Sequence, residues 1–324
     1  MRFVLMIEAQ QGVSYADQVE IARHAEAAGF EAMFRSDHYG SFPGPEDNPT
    51  TDAWAVLAGL ARETTRIGLG VLVSPVTFRH PGNVAKLATT VDEMSGGRLE
   101  VGVGAGWNDV EHARYGFAFP PIEERADMLE ETLEILHGLW EGPDGWSFEG
   151  AHWQVRDART RPRPGDLPER RARGETRPRL LVGGGGSPRS IRIAVRYADE
   201  FNLTSSSPAM AGEKYAQLDA ALAAAGRDPA TLTRSAMIGV LVGADEAELR
   251  RRERDLLTTI GADEAGDDWF AERRERWIIG TPDEARAAVR RFADAGVERI
   301  MLQDFLPWDL EHIDLLGHEL VGRV

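Results

Sequence analysis

Residues 1–35 read MRFVLMIEAQQGVSYADQVEIARHAEAAGFEAMFR, and the order of structure in this stretch decides the fold. Arg2 to Glu8 is a short apolar run of strand length. Ser14 can cap a helix through Ala28, in which Val19, Ala22 and Ala25 recur three apart, and Gly29 stops it. Phe30 to Arg35 returns to strand, so a β-α-β unit is complete within 35 residues.

The same alternation runs down the chain. Apolar spacing and caps predict helices at 51–63, 81–94, 122–140, 188–197, 209–225, 246–257 and 282–293. Strands are predicted at 66–73, 98–104, 179–183, 200–203, 234–242 and 297–303, which with the opening pair makes eight. Eight parallel strands with intervening helices give an α/β fold of the (β/α)8 TIM barrel type, whose active site lies on the loops after the strands. An open doubly wound sheet is the alternative. Two stretches break the rhythm. Residues 141–178 hold a hairpin, Trp146-Ser147-Phe148 and Trp153-Gln154-Val155 around Glu149-Gly150, and then an Arg/Pro-rich loop; residues 258–279 hold an acidic turn and a short extra helix. Neither is large enough to bury a core of its own, so the reading is one domain over 1–324 with two insertions near the barrel mouth.

Composition narrows the function. With 42% hydrophobic and 28% charged residues, disordered, collagen-like and repeat classes are excluded. A formal charge of -16 repels phosphate backbones and anionic membranes, so nucleic acid and membrane are not expected partners. The chain has no cysteine, which removes thiolate nucleophiles, Fe–S clusters and Cys-based zinc sites; redox chemistry must come from a bound cofactor. The apolar run from Phe3 stops at Glu8, too short for a signal-peptide core, and the expected location is cytoplasmic. Only Lys86 and Lys214 are lysines, both in helical patterns, so a Schiff base at a strand end is not available.

Candidate chemistry gathers after the strands. The second ends in Arg35-Ser36-Asp37-His38-Tyr39, which places an acid, an imidazole and a phenol at the mouth; because an imidazole can give or accept a proton, His38 is the best general acid/base candidate. The plain alternative is a polar loop start. Gly68 and Gly70 in the third strand, and Gly102, Gly104 and Gly106 in and after the fourth, mark a bulge or a close backbone approach. Trp107-Asn108-Asp109 leads into a loop rather than a Rossmann helix. The fifth strand ends in Gly183-Gly184-Gly185-Gly186-Ser187-Pro188, where backbone amides and a capped helix N-terminus can cradle a phosphate. Arg159, Arg161, Arg163, Arg170, Arg171, Arg173, Arg177 and Arg179 precede this cradle. They form either a solvated loop or an electrostatic clamp for a polyanionic cofactor tail. Tyr39, Trp54 and Trp107 can shape an apolar substrate pocket, although buried aromatics also serve as plain core. No His-Glu-x-x-His, His-x-His or Gly-x-Ser-x-Gly pattern occurs, and no metal site is expected.

Taken together, Ser36-Asp37-His38-Tyr39, GVLVSPVTFRHP at 70–81, Ser95-Gly96-Gly97-Arg98 running into GVGAGWN at 102–108, and GGGGSPRSIRIAVRYADEFN at 183–202 resemble the luciferase-like monooxygenase superfamily. The branch that the chain resembles in particular is the one that uses the deazaflavin coenzyme F420, and the likeness covers nearly the whole chain. The resemblance implies a flavin-like ring at the barrel mouth, backed by a non-prolyl cis peptide at Val71-Leu72. Asp37 would then contact the ring, His38 would assist proton transfer, Asn108 would hold the ring edge, and Gly184, Gly185, Gly186 and Ser187 would hold the phosphate. It implies hydride transfer between the deazaflavin and a small organic substrate, carried out by a homodimer. One departure bears on direction: where sugar-phosphate and alcohol dehydrogenases of this branch carry a glutamate after the fourth strand, this chain has Ala105, which leans toward a reductase.

Three rival readings remain. A two-component FMN monooxygenase shares the fold; the Arg-rich loop favours the deazaflavin over FMN, which has no polyglutamate tail. A non-catalytic flavin-binding protein shares every binding motif. A barrel glycosidase needs two facing carboxylates, and Glu8 and Asp109 lack the supporting spacing.

Overall fold

The computed structural model describes residues 1–324, apart from the side chain of Asp267. Its strands are β1 (Arg2–Ile7), β2 (Ala32–Arg35), β3 (Gly68–Pro75), β4 (Leu99–Gly104), β5 (Trp146–Glu149), β6 (Gln154–Ala158), β7 (Arg179–Gly184), β8 (Glu200–Thr204), β9 (Thr233–Val242), β10 (Ile278–Gly280) and β11 (Arg299–Asp304). The helices are α1 (Tyr15–Ala27), α2 (Ala53–Glu63), α3 (Pro81–Ser95), α4 (Asp109–Tyr115), α5 (Ile122–Glu141), α6 (Pro168–Arg173), α7 (Pro188–Tyr197), α8 (Pro208–Ala224), α9 (Glu246–Thr259), α10 (Asp267–Ala271), α11 (Pro282–Asp294) and α12 (Leu310–Leu320). Parallel pairing runs β1-β2-β3-β4-β7-β8-β9-β11 and back to β1. The β8–β9 and β11–β1 pairings close the ring and exclude the open sheet, so the fold is an eight-stranded TIM barrel. No helix among the described residues is long and apolar enough to cross a membrane.

Local chemistry fixes the elements. Ser14 and Asp17 form a reciprocal capping box at the start of α1, and Gly29 with φ +85° turns the chain out of it. Inside the barrel Val4, Met6, Ala32, Phe34, Leu72, Leu181 and Met301 form one apolar layer, and the larger core lies between strands and helices. The foot of the interior is ionic. Arg299, fully buried, bonds Glu100 at 2.7 Å and Glu200 at 2.9 Å; burial opposes its charge, and the facing carboxylates overcome that and hold it protonated.

The β3–β4 ladder carries the one irregularity that matters to the mouth. Pairing runs Leu69↔Leu99, Gly70↔Glu100 and Val71↔Val101, then resumes at Ser74↔Val103, leaving Leu72 and Val73 as a bulge with a cis peptide between them. The cis bond is thus at Leu72-Val73, one residue beyond the expected Val71-Leu72. Glycines in β4 make room for it: a Cβ on Gly102 would strike the Val71 carbonyl oxygen, and one on Gly104 would lie 2.6 Å from Val73 Cγ2.

Three expectations are corrected. Residues 141–178 do not line the cavity: only the hairpin turn approaches the mouth, with Trp153 against His80 at the start of α3, and the Arg/Pro-rich loop lies at the foot, to which α5 carries the chain before β7 begins. There Arg170 binds Asp92 at 2.6 Å and the Leu99 carbonyl at 3.0 Å, and Arg173 binds the Gly97 carbonyl at 2.6 Å. The β5–β6 hairpin instead lies along α5, where Glu131 accepts the amides of Ala151 and Trp153 at 2.7 and 2.9 Å. Residues 258–279 do reach the mouth, where Trp277 stacks on Phe305 with centroids 5.2 Å apart. After Trp107 the chain enters α4 rather than a further loop, four residues beyond the end of β4, because Asn108 caps the helix through the Glu111 amide. Finally, α12 follows β11, beyond the last element expected from the sequence.

Because the Val71 carbonyl is backbone and cannot move away, Gly102→Ala should destabilise the chain by about 1–3 kcal/mol in urea unfolding. Gly185→Ala, whose Cβ meets nothing within 4 Å, should stay within about 0.5 kcal/mol of wild type.

Candidate functional site

The ends of the strands enclose a cavity of about 850 Å³. One side is the β3 bulge, Leu72 and Val73, with Gly104 beside it; on the other flank of the bulge, the ends of β2, β1 and β11 supply in turn Ser36, Glu8 and Gln303. His38, Phe42, Trp107 and Phe305 stand at the opening, and a lobe between α5 and α7 runs to Gly183, Gly184, Gly185 and Ser187.

His38 is the best-positioned titratable group in the cavity. Its Nδ1 lies 2.9 Å from Glu111 Oε2, while the other Glu111 oxygen accepts the amides of Tyr39 and, at 2.9 Å, Gly40. Burial alone would push the Glu111 carboxyl up; the bonds from His38 and the two amides outweigh it and hold it below the usual carboxylate range. A carboxylate on Nδ1 fixes the tautomer, so Nε2 is the ring nitrogen left for chemistry. Sequence reasoning missed Glu111. The signal was the Asn108-x-x-Glu111 spacing of a capping box, which places a glutamate in the first turn of a helix. Here Asn108 Oδ1 takes the Glu111 amide at 3.3 Å, and the Glu111 side chain is left to reach the β2 loop.

Several residues singled out from the sequence lie off the cavity wall. Asp37 is buried behind the bulge, where its carboxylate accepts Ser74 Oγ at 2.6 Å and binds Arg79 through both of its oxygens. Tyr39 gives its hydroxyl to Asp52 at 2.8 Å, accepts Arg79 Nη2 at 2.7 Å and stacks on Phe78. Burial pushes its phenol up. Trp54 is 1% exposed and donates its indole N–H to Ser74 Oγ at 2.9 Å. The two aromatics and the acid therefore brace the bulge from outside. Arg79, which ties Asp37, Tyr39 and Asp52 together, carries no assignment in the sequence reading, although it lies within the 70–81 stretch. Val71 is fully buried in the outer core while Leu72 faces the cavity, as the alternation of a strand requires. Asn108 is spent on its cap. Trp107 does line the cavity and is 66% exposed.

The glycine cradle is in place in part. Gly184, Gly185 and Ser187 line the lobe, whereas Gly186, at φ +75°, is buried beneath the stem of Lys214. Among the described residues the amides of Gly185, Gly186 and Ser187 donate to no protein acceptor, and Ser187 Oγ caps α7 through the Ser190 amide. Free amides at a helix N-terminus suit an anion. The arginine clamp is overturned. Each of the eight has a carboxylate partner, from Arg170 with Asp92 at 2.6 Å to Arg179 with Glu200 at 3.6 Å, and none lines the cavity. The barrel foot recruits this loop because α5 has already returned there. Among the described residues no group of three or more His, Asp or Glu side chains is arranged to hold a metal ion.

A family model for the luciferase-like monooxygenases matches residues 1–299. An F420-dependent glucose-6-phosphate dehydrogenase of Nakamurella multipartita is 29% identical over 87% of this chain and 72% of its own length. The pyrimidine monooxygenase RutA of Cronobacter sakazakii is 28% identical over 75% of this chain and 67% of its own. In fold, the chain is similar to an F420-dependent secondary alcohol dehydrogenase in complex with an F420-acetone adduct, at TM-score 0.79, 20% identity and 98% coverage of both chains. The coenzyme F420-dependent tetrahydromethanopterin reductase of Methanopyrus kandleri gives TM-score 0.78 at 18% identity, covering 98% of this chain and 97% of that one. A barrel with this bulge, this glycine cradle and a family match over 1–299 of its 324 residues belongs to the luciferase-like monooxygenase family.

Proposed function

We propose that this protein is an F420-dependent oxidoreductase that works as a reductase on a small organic substrate, with His38 as its proton donor. The observation that carries this reading is His38, held by Glu111, on the wall of a cavity that the Leu72-Val73 bulge also lines. The residues present fit a deazaflavin. Leu72, Val73 and Gly104 offer a close, apolar surface for a flat ring, and the free amides of Gly185 and Ser187 with the α7 N-terminus would hold its phosphate. When bound, the reduced deazaflavin supplies a hydride to the substrate carbon.

The chain's own residues do the rest. Glu111 holds the Nδ1 proton of His38 and stabilises the imidazolium, so that Nε2–H can be given to the substrate as the hydride arrives. The proton that His38 gives would complete the reduction of the substrate, and water at the open mouth would return a proton to His38. Ala105 on the cavity wall leaves no carboxylic acid at the place after β4, which supports His38 as the donor. Phe42, Trp107 and Phe305 limit water around the reacting atoms.

For the cofactor, support comes from relatives whose names specify F420 at 29% and 28% identity over 87% and 93% of the chain. The arginines of the 159–179 loop add none. Relatives named pyrimidine monooxygenase keep an FMN monooxygenase as the second reading. A cytoplasmic homodimer belongs to the same proposal and rests on the family resemblance.

Titration of the apo-protein should give tight F420 binding, read by cofactor fluorescence, and much weaker FMN binding; the reverse preference moves the assignment to the oxygen-using branch. Because the arginine loop is internally paired, replacing Arg159 and Arg171 together should leave F420 affinity within about twofold. His38→Ala should lower turnover with reduced F420 by about 10²–10⁴-fold while F420 affinity changes by less than about threefold. Glu111 sits below its ordinary value, so its contribution to stability is present at neutral pH and fades as pH falls through the depressed value. Glu111→Gln should therefore be less stable than wild type by about 1–3 kcal/mol in urea at pH 7, with the deficit closing as pH falls through the depressed value.

A further inference from the structure

The cavity has two chemically different ends. Around the ring of strands, β1 lies opposite β7, so the ends of β1 and β11 face the glycine cradle across the mouth. The cradle end takes an anion. The β1 end is built the other way: Glu8, 7% exposed, faces the cavity with its two carboxylate oxygens held by uncharged amides, Gln10 Nε2 at 2.7 Å and Gln303 Nε2. Gln10 is itself fixed by Ser36 Oγ at 2.5 Å and by the Phe42 carbonyl at 3.0 Å, so the carboxylate is held by a rigid amide frame rather than by a counter-ion. Among the described residues the only cation-forming side chains on the cavity wall are His38 and Arg189. Arg189 lies at the cradle end and is engaged by Asp127 and, at 3.2 Å, by Glu130. Glu123, the other acid on the wall, is exposed at the rim, where water screens it.

We propose that Glu8 is a specificity-determining residue, and that the substrate is an uncharged or cationic carbonyl compound carrying an N–H or O–H donor, of the amide, lactam or cyclic imide kind. This rests on reading the cavity as the reductase site above. The donor meets the free lone pairs of Glu8, and the carbonyl oxygen meets His38 Nε2 on the neighbouring strand end. Carboxylic acids and phosphate esters are rejected, because an anion brought beside Glu8 meets walls formed by Met6, Phe42, Met237 and Phe305, and the one cation-forming group near it, His38, is already matched by the Glu111 carboxylate. The sugar phosphate in the name of one relative therefore does not fit this end of the cavity.

The test is equilibrium binding of benzamidinium, benzamide and benzoate, nearly isosteric probes of charge +1, 0 and -1, to the cofactor-free chain by calorimetry at neutral pH and low ionic strength. Benzamidinium should bind at least about tenfold more tightly than benzoate, with benzamide between them. In Glu8→Gln that spread should shrink to within about threefold. Equal binding of benzoate and benzamide by wild type, no detectable benzamidinium binding at millimolar concentration, or an unchanged order in a folded Glu8→Gln variant each overturns the proposal. A melting curve shows whether that variant folds, and the wild-type order stands as a test without it. Because no cofactor is present, this result is independent of the F420 titration: failure of F420 to bind with the probe order intact removes the cofactor reading alone, and the opposite pattern removes only the role of Glu8.

Discussion

The interrupted ladder between β3 and β4 is the constraint on which the mouth of this barrel depends. Pairing between Val71↔Val101 and Ser74↔Val103 skips Leu72 and Val73, and that extra length pushes backbone and side chain toward both β4 and the cavity. On the β4 side only glycine fits at 102 and 104, since a Cβ at either would meet Val71 or Val73. On the cavity side Leu72 and Val73 become a wall. Behind the bulge, Ser74 is held by Asp37 and Trp54, and Asp37 is held by Arg79. A buried acid matched by a two-pronged guanidinium is satisfied without drawing on the cavity, which leaves His38, the next residue, free to face it.

Charge is separated along the barrel axis in the same way. At the foot, Arg299 and Arg179 face Glu100 and Glu200, and Arg170 faces Asp92 just outside the ring. These ion pairs fix strand ends to one another at the far end of the barrel from the mouth. At the mouth the polar groups are fewer and each is held by neutral partners: Glu111 by backbone amides and an imidazole, Glu8 by two glutamines. A cavity with apolar walls and few, fixed polar groups favours discrimination by hydrogen-bond pattern over attraction by net charge.

A chain of eight apolar runs separated by helical spacing could be read as a barrel because strand and helix periods are local properties, and Ser14, Gly29, Ser187 and Pro188 mark element ends through chemistry within a few residues of themselves. His38, Trp107, Leu72 and the glycines of the 183–185 lobe were legible for the same reason: the barrel puts whatever follows a strand at the mouth. Asp37, Tyr39 and Trp54 were assigned to the pocket on equal grounds and turned out to brace the bulge. Which way a side chain leaves a strand end depends on partners such as Arg79, Phe78 and Ser74, which come from another strand and the loop after it.

What the sequence by itself determined is the alternation of eight strands with helices and the residues that stand just after a strand end, because each follows from spacing and from the handful of backbone conformations open to glycine and proline. Only the tertiary structure decided that the ring of strands closes, that Glu111 orients His38, that Glu8 stands in an amide frame without a counter-ion, that the bulge falls at Leu72-Val73, and that eight arginines find carboxylates away from the cavity rather than a cofactor. The partners in these contacts lie from two to almost three hundred positions apart, as with Glu8 and Gln303, and a pattern read along the chain carries no information on which distant groups will share a volume a few ångströms across.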